Sequence, residues 1–378
     1  MRVLVLDEVA PETRVALIPE HVQTLRGLGL DVAVIAGAGV ASYFSDAEYN
    51  DKGADVVPPN LRHEAISRAD VVLTVRTIDE LDAKRMKTGA LALCFMQPLA
   101  SLAVLEALTQ VRASAISFEL IPRISRAQSM DALTSQALVA GYRAGLVAAE
   151  MLPKFFPLLM TAAGTIQPAR VLVLGAGVAG LQAIATAKRL GAIVSAYDVR
   201  PASADEVKSM GATFISLDLD ALEGAGGYAR EMSEDRAQRQ RDLLLPYVSA
   251  SDVVITTAAV PGRPAPLLVT ELMVASMKAG SVVVDLAAET GGNVEGSQPG
   301  EVVTIGGALV WGGKEVPSQM PVHASQLYSA NVTAVLKLLT TDGQVALDLE
   351  DEIVSSSLVI HNGVVRHEGA IEALVKES

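Results

Sequence analysis

The sequence has very little of several things. It contains one cysteine, Cys94, in 378 residues, so no disulfide framework can hold it together. Aromatic residues make up only 4%. Basic residues are outnumbered, 30 against 43 acidic, for a formal net charge of −13. A net acidic chain is repelled by phosphate backbones unless it hides a basic patch, which argues against nucleic acid as a partner. Long apolar runs are absent too. The longest candidate for a membrane span, the uncharged run Thr88 to Leu105, is broken by Gln97-Pro98 and reads as strand, turn and helix. It is no membrane span, which needs about 20 mostly apolar residues. The opening MRVLVLDE meets an acid too early for a secretory signal, so an intracellular protein is expected. Five histidines, His21, His63, His323, His361 and His367, are scattered without metal-ligand spacing. No GxSxG nucleophile motif occurs.

What is present is apolar and small. Half of the residues are hydrophobic and the mean hydropathy is +0.36. Short runs rich in valine, leucine and isoleucine alternate with amphipathic helical stretches. The runs include VLVL (3–6), DVAVIAG (31–37), DVVLTV (70–75), ALALCF (90–95) and ASAISFE (113–119). A second series contains RVLVLGAG (170–177), AIVSAYDV (192–199), ATFISL (212–217), DVVITTAAV (252–260), SVVVDLA (281–287) and VVTIGG (302–307). This alternation predicts βαβ units in an α/β fold, with two Rossmann-like doubly wound parallel sheets buried on both faces. Helical patterns at about 129–152 and 323–339 flank the second series. They suggest a chain that leaves domain one, builds domain two and returns to a short C-terminal tail. The expected domains are 1–139 plus 317–378, with 140–316 inserted.

The strongest local motif is GAGVAG, residues Gly175, Ala176, Gly177, Val178, Ala179 and Gly180. It follows a strand pattern and opens a helix. The first glycine permits a tight turn, the second a close approach by a pyrophosphate, and the third close helix–strand packing. The helix N-terminus presents unpaired N–H groups to the phosphates. Asp198 stands 18 residues beyond Gly180, at the end of the next strand, followed by Val199 and Arg200. A carboxylate there accepts ribose hydroxyls and repels a 2′-phosphate, favouring NAD over NADP. Arg200 pulls the other way, because an arginine can meet a 2′-phosphate.

Other segments are open to two readings. AAETGGNVEG (287–296), with Gly291, Gly292 and Asn293, and TTAAVPGR (256–263) both follow strands. Each is an ordinary βα turn or a border of the ligand crevice. RISRAQSMDALTSQ (123–136) gathers Arg123, Arg126, Gln128, Ser129, Asp131, Thr134, Ser135 and Gln136. It is either a charged helix start, capped by Ser129 with Asp131 in the first turn, or a binding segment. GAGGYAREM (224–232) is either a surface loop or a mobile lid with Tyr228 at its tip. Cys94 sits in an apolar run and reads as core.

These residues carry a resemblance that covers essentially the whole chain. EVAPETRVALIPEHVQTLRGLGLDVAVIAGAG at the N-terminus resembles the start shared by alanine dehydrogenases and NAD(P) transhydrogenase alpha subunits. RISRAQSMDALTSQALVAGYRA, GAGVAGLQAIATAKRLGA with YDVRP, and TTAAVPGRPAP with AETGGN are similar to the transhydrogenase side. Alanine dehydrogenases use a lysine and a histidine in their first domain. Arg76 and Gln97 stand at the matching positions, and glutamine is no general acid or base at neutral pH. Hydride exchange between two nicotinamides needs positioning and water exclusion without a proton transfer at the reacting carbons.

The resemblance implies an NAD(H)-binding subunit of a proton-translocating transhydrogenase. NADP(H) would bind a partner beta subunit, and protons would cross a separate membrane-spanning subunit. It implies that Arg123, Gln128, Asp131 and Thr134 hold the nicotinamide with its diphosphate or ribose at the domain cleft. Thr134 replaces a serine usual in the family, keeping the hydroxyl. Tyr228 would belong to a closing loop, the GAGVAG glycines would hold the pyrophosphate, and Asp198 the adenosine ribose. No metal is implied. The expected state is a homodimer, cytoplasmic and held peripherally at the membrane through its partners.

Overall fold

The structure, a computed structural model, describes residues 1–219, 234–259 and 264–377. The chain divides into two compact units. Unit 1 is Met1–Gln136 with Ser318–Ser378, and unit 2 is Ala137–Pro317. Strands in chain order are β1 (Arg2–Val5), β2 (Asp31–Ile35), β3 (Asp55–Val57), β4 (Val71–Leu73), β5 (Leu91–Cys94) and β6 (Ser114–Ser117). A hairpin follows, β7 (Leu159–Thr161) and β8 (Gly164–Ile166). Then come β9 (Arg170–Leu174), β10 (Ile193–Tyr197), β11 (Thr213–Phe214), β12 (Val253–Thr256), β13 (Val282–Asp285), β14 (Val302–Ile305) and β15 (Ala308–Gly312). The last are β16 (Thr340–Thr341), β17 (Gln344–Val345), β18 (Leu358–His361) and β19 (Val364–Val365).

Unit 1 holds an eight-stranded sheet in the order β19-β18-β6-β5-β4-β1-β2-β3. Strands β1 to β6 are all parallel, with Val3 paired to Val32 on one side and Val71 on the other. Successive side chains of a strand point to opposite faces. Val3 and Val5 accordingly join one apolar cluster, with Tyr328, Val332 and Leu336 of the helix Pro321–Leu339. Leu4 joins the other, with Leu105 and Leu108 of the helix Leu102–Gln110. Burial on both faces explains why the strands read as unbroken apolar runs. Three of the scarce aromatics, Phe95, Phe118 and Tyr328, meet here with ring centroids 5.1–6.1 Å apart.

Unit 2 holds a seven-stranded sheet in the order β11-β10-β9-β12-β13-β15-β14. Val171 and Val173 face one cluster, with Ala183 and Ala187 of the helix Val178–Arg189. Leu172 and Leu174 face the other, with Leu244 and Val248 of the helix Glu234–Ala250. In both units the strand order reverses beside the first strand. In an open α/β sheet, that reversal is where the crevice for a ligand forms.

Among the described residues four hairpins depart from the all-parallel expectation: β7–β8, and three that share one turn chemistry. Gly306-Gly307, Asp342-Gly343 and Asn362-Gly363 all have positive φ, the pattern of tight two-residue turns whose twist matches antiparallel strands. The first turns β14 back against β15, a strand absent from the sequence expectation. The last joins β18 and β19, so the expected C-terminal tail is sheet edge and helix, with β18 antiparallel to β6. Among the described residues no helix is long and apolar enough to cross a membrane.

Candidate functional site

The GAGVAG loop follows β9 at the reversal point of unit 2, and each glycine has its own reason. Gly175 has φ +100°, a conformation that side-chain-bearing residues avoid. A Cβ on Gly180 would lie 1.9 Å from the Gly175 carbonyl oxygen, so helix and loop meet backbone to backbone. Gly177 has nothing within 4 Å of where a Cβ would stand, leaving open space before the helix it caps. That open space, facing the first turn of the helix Val178–Arg189, suits a phosphate. Val178 and Ala179 are half-buried there, while Ala176 is buried in the core.

The loop is braced from two sides. Thr257, after β12, donates its hydroxyl to the Gly175 carbonyl at 3.0 Å. Gly141, on the helix Ala132–Met151, lies so close that a Cβ there would be 2.1 Å from the Ala179 carbonyl oxygen. Gly141 is a contributor that residue order alone does not single out. Its only signal is a glycine inside a helical pattern, which marks a place where backbones touch.

Asp198 stands just past β10, half-buried, with Val199 and Arg200 beside it. Its Oδ2 accepts the N–H of Ala176 in the glycine loop at 2.7 Å. The Arg200 guanidinium also engages it, Nε to Oδ1 and Nη2 to Oδ2, both at 2.9 Å. The carboxylate thus ties the β9 loop to the β10 loop and raises the Arg200 pKa above its usual value by this hydrogen bonding.

After β13, Asp285 is fully buried and accepts the Thr256 hydroxyl and the N–H groups of Ala287, Asn293 and Val294. This carboxylate shapes the turn holding Gly291 and Gly292, at φ +105° and +78°. Gly291 is exposed and Gly292 buried. The Asn293 side chain points inward: its amide accepts from Ala258 N–H and donates to the Ala258 and Pro266 carbonyls, stitching the β12 and β13 loops together. Residues 260–263 of TTAAVPGR lie outside the described residues, as does Tyr228 with the rest of GAGGYAREM.

In unit 1 the RISRAQSMDALTSQ segment forms a 3-10 turn, Ser125–Met130, then the helix from Ala132. Asp131 caps this helix, correcting the expectation for Ser129. Its Oδ1 accepts Thr134 N–H at 2.8 Å and its Oδ2 the Thr134 hydroxyl at 2.6 Å. Ser129 lies inside the preceding turn, and its carbonyl accepts from Asn331. Several candidates are committed to holding this segment. Arg126 pairs with both oxygens of Asp351, Ser135 donates to Asn331, and Gln136 bonds Arg14 and Ala324. Arg123 and Gln128 remain exposed on the surface of unit 1.

Unit 1 has its own reversal point, between β1 and β4, occupied by protein side chains. Glu8 accepts Val75 N–H, and Glu12 forms a buried ion pair with Arg14 at 2.7 Å. Gln97 is exposed at φ +46°, its N–H donating to Glu119. Among the described residues no group of His, Cys, Asp and Glu is arranged to hold a metal ion.

A parallel sheet with a glycine loop at its reversal point and a carboxylate on the adjoining strand defines unit 2 as a Rossmann-type nucleotide-binding fold. Residues 4–140 match the alanine dehydrogenase/PNT N-terminal domain, and residues 144–368 match the alanine dehydrogenase/PNT C-terminal domain. The chain belongs to the alanine dehydrogenase/PNT family. It is 45% identical over 381 residues to the first part of NAD(P) transhydrogenase subunit alpha of Rhodospirillum rubrum, covering 97% of this chain and 98% of that one. It also resembles the solved transhydrogenase of Sinorhizobium meliloti, with a TM-score of 0.85, 41% identity, and 97% and 99% coverage. An L-alanine dehydrogenase structure matches over the full length of both chains with a TM-score of 0.81 and 25% identity.

Proposed function

We propose that the chain is the NAD(H)-binding subunit of a proton-translocating NAD(P) transhydrogenase. The observation that carries this reading is the 45% identity, over 97% of the chain, to a transhydrogenase alpha subunit. Chemistry supports it against the alanine dehydrogenase reading. Amino-acid oxidation needs a proton acceptor, and the exposed Gln97 offers only a neutral amide.

When bound here, NADH would supply a hydride with its electron pair to oxidised NADP+ on a partner subunit, giving NAD+ and NADPH, or the reverse. No proton moves at either reacting carbon. This chain's residues bind and orient. The amides at the start of the helix Val178–Arg189 hold the pyrophosphate, and Gly177 leaves room for it. Asp198 receives the ribose hydroxyls, and the turn at Gly291 and Gly292 borders the same strand ends. Arg123, Gln128, Asp131 and Thr134 orient the nicotinamide end, with Thr134 positioned through Asp131. Correct orientation alone is worth several orders of magnitude in such a transfer. The subunit works as a homodimer, peripheral to the membrane through a beta subunit and a membrane-spanning subunit.

The purified chain is expected to bind NADH and to catalyse negligible transhydrogenation alone. Adding an NADP(H)-binding subunit restores hydride transfer. Reduction of pyruvate with ammonia and NADH at useful rates would overturn this reading in favour of an alanine dehydrogenase. Binding of NADH with inertness toward every such subunit would leave a nucleotide sensor.

A further inference from the structure

A carboxylate offers about four lone-pair positions, two on each oxygen. In Asp198 all four are filled by protein donors. Oδ2 takes Ala176 N–H at 2.7 Å and Arg200 Nη2 at 2.9 Å. Oδ1 takes the backbone N–H of Arg200 and its Nε, each at 2.9 Å. Two of these donors are backbone groups fixed by the fold. The other two belong to one guanidinium, whose side chain retains a quarter of its exposure while that of Asp198 keeps only 7%.

A ribose diol can reach this carboxylate only where the guanidinium now sits. Arg200 and the ribose therefore compete for the same lone pairs. While the pair holds, the negative charge of Asp198 is offset, and so is its repulsion of a 2′-phosphate. A guanidinium turned off the carboxylate stays tethered two residues away, beside the ribose, where its fork matches a phosphate.

We propose that Arg200 is a specificity-determining residue that masks Asp198, weakening binding of dinucleotides with a free ribose 2′-hydroxyl and admitting 2′-phosphorylated ones. This rests on the reading that unit 2 binds NAD(H). It assigns Arg200 a cost to NAD(H) affinity, where a simple binding residue would contribute to it. An exchange reaction gains from that cost, because oxidised and reduced nucleotide must leave between turnovers.

The test is calorimetric titration of the full chain and of Arg200→Met with NADH and NADPH, and with AMP and 2′,5′-ADP as fragments. Removing a partly exposed bidentate ion pair should tighten NADH binding about fivefold and weaken NADPH binding about tenfold. The fragments should follow the same opposite directions. Arg200→Lys, which keeps the charge without the fork, should fall between and serves if the methionine variant does not fold. Weaker or unchanged NADH binding in the variants overturns the masking role. Parallel changes for both nucleotides also overturn it, because a merely structural residue would move both together. If the unaltered chain binds neither NADH nor NADPH, the underlying NAD(H) reading fails as well.

Discussion

The carboxylate of Glu8 accepts the backbone N–H of Val75 at 2.5 Å, clasping the loop after β1 to the loop after β4. Burial, reinforced by the nearby Glu12 carboxylate, pushes Glu8 up to about 7, against the pull of backbone bonds and Arg14. Between its ordinary 4.5 and about 7, the folded chain holds a proton that the unfolded chain has released. Stability therefore falls as pH rises through that window and is flat above it. Glu8→Gln keeps an acceptor for Val75 and removes the ionisation. It should stabilise the chain by on the order of 1–2 kcal/mol at pH 8 and much less at pH 5, short of the full shift because the side chain retains some solvent contact. Urea unfolding at both pH values measures this, and an equal effect at both would contradict it.

Glu12 behaves in the opposite sense. Burial alone would raise its pKa, but the Arg14 guanidinium and its hydrogen bonds hold the carboxyl below the usual range. Its contribution is present above about 4.5 and is lost as pH falls below that. Both groups are buried, and Arg14 leans on Glu12 and Gln136. Glu12→Ala should cost about 3–5 kcal/mol, because it strands a buried cation. The double change Glu12→Ala with Arg14→Met should recover most of that loss in denaturant melts. A double variant as unstable as the single would show that the cost is packing alone.

Gly141→Ala sets two effects against each other. Alanine in a helix interior gains up to about 1 kcal/mol over glycine. Here its methyl would meet the Ala179 carbonyl oxygen at 2.1 Å, backbone against backbone, and overpacking of this kind costs about 1–3 kcal/mol. The clash should win, lowering the melting temperature and weakening NADH binding, because Ala179 belongs to the phosphate loop. Unaltered affinity together with a higher melting temperature would refute this account.

Gln128→Ala tests orientation. The side chain is exposed on unit 1. The fold should be untouched. Hydride transfer measured with an NADP(H)-binding subunit should fall about tenfold or more, while the NADH dissociation constant changes far less. A large loss of affinity with an unaltered transfer rate would reverse the assignment.

Much of this was legible from residue order. Strands buried on both faces, such as Val171–Leu174, leave unbroken apolar runs, and the spacing from Gly180 to Asp198 reflects one helix and one strand. What escaped was of two kinds. The hairpins at Gly306-Gly307, Asp342-Gly343 and Asn362-Gly363 carry their turn chemistry openly, but they lie on short strands that the alternation of long elements overshadowed. The second kind is contact between distant residues. Nothing in sequence order joins Gly141 to Ala179, Asn293 to Ala258, or Glu8 to Val75. The capping role of Asp131 was hidden differently. Ser129 and Asp131 are both good caps, and the 3-10 turn Ser125–Met130 decides between them by carrying the helix start two residues on.

Cys94 is fully buried at the end of β5, and burial pushes its thiol up to about 12. At neutral pH almost none of it is thiolate, the form that alkylating reagents attack. The native chain is therefore chemically silent toward maleimides. One cysteine placed at an exposed position of each unit would make a uniquely addressable pair of handles. Spin labels or fluorophores there would report the separation of the two units in solution, nucleotide by nucleotide, without first removing the natural thiol.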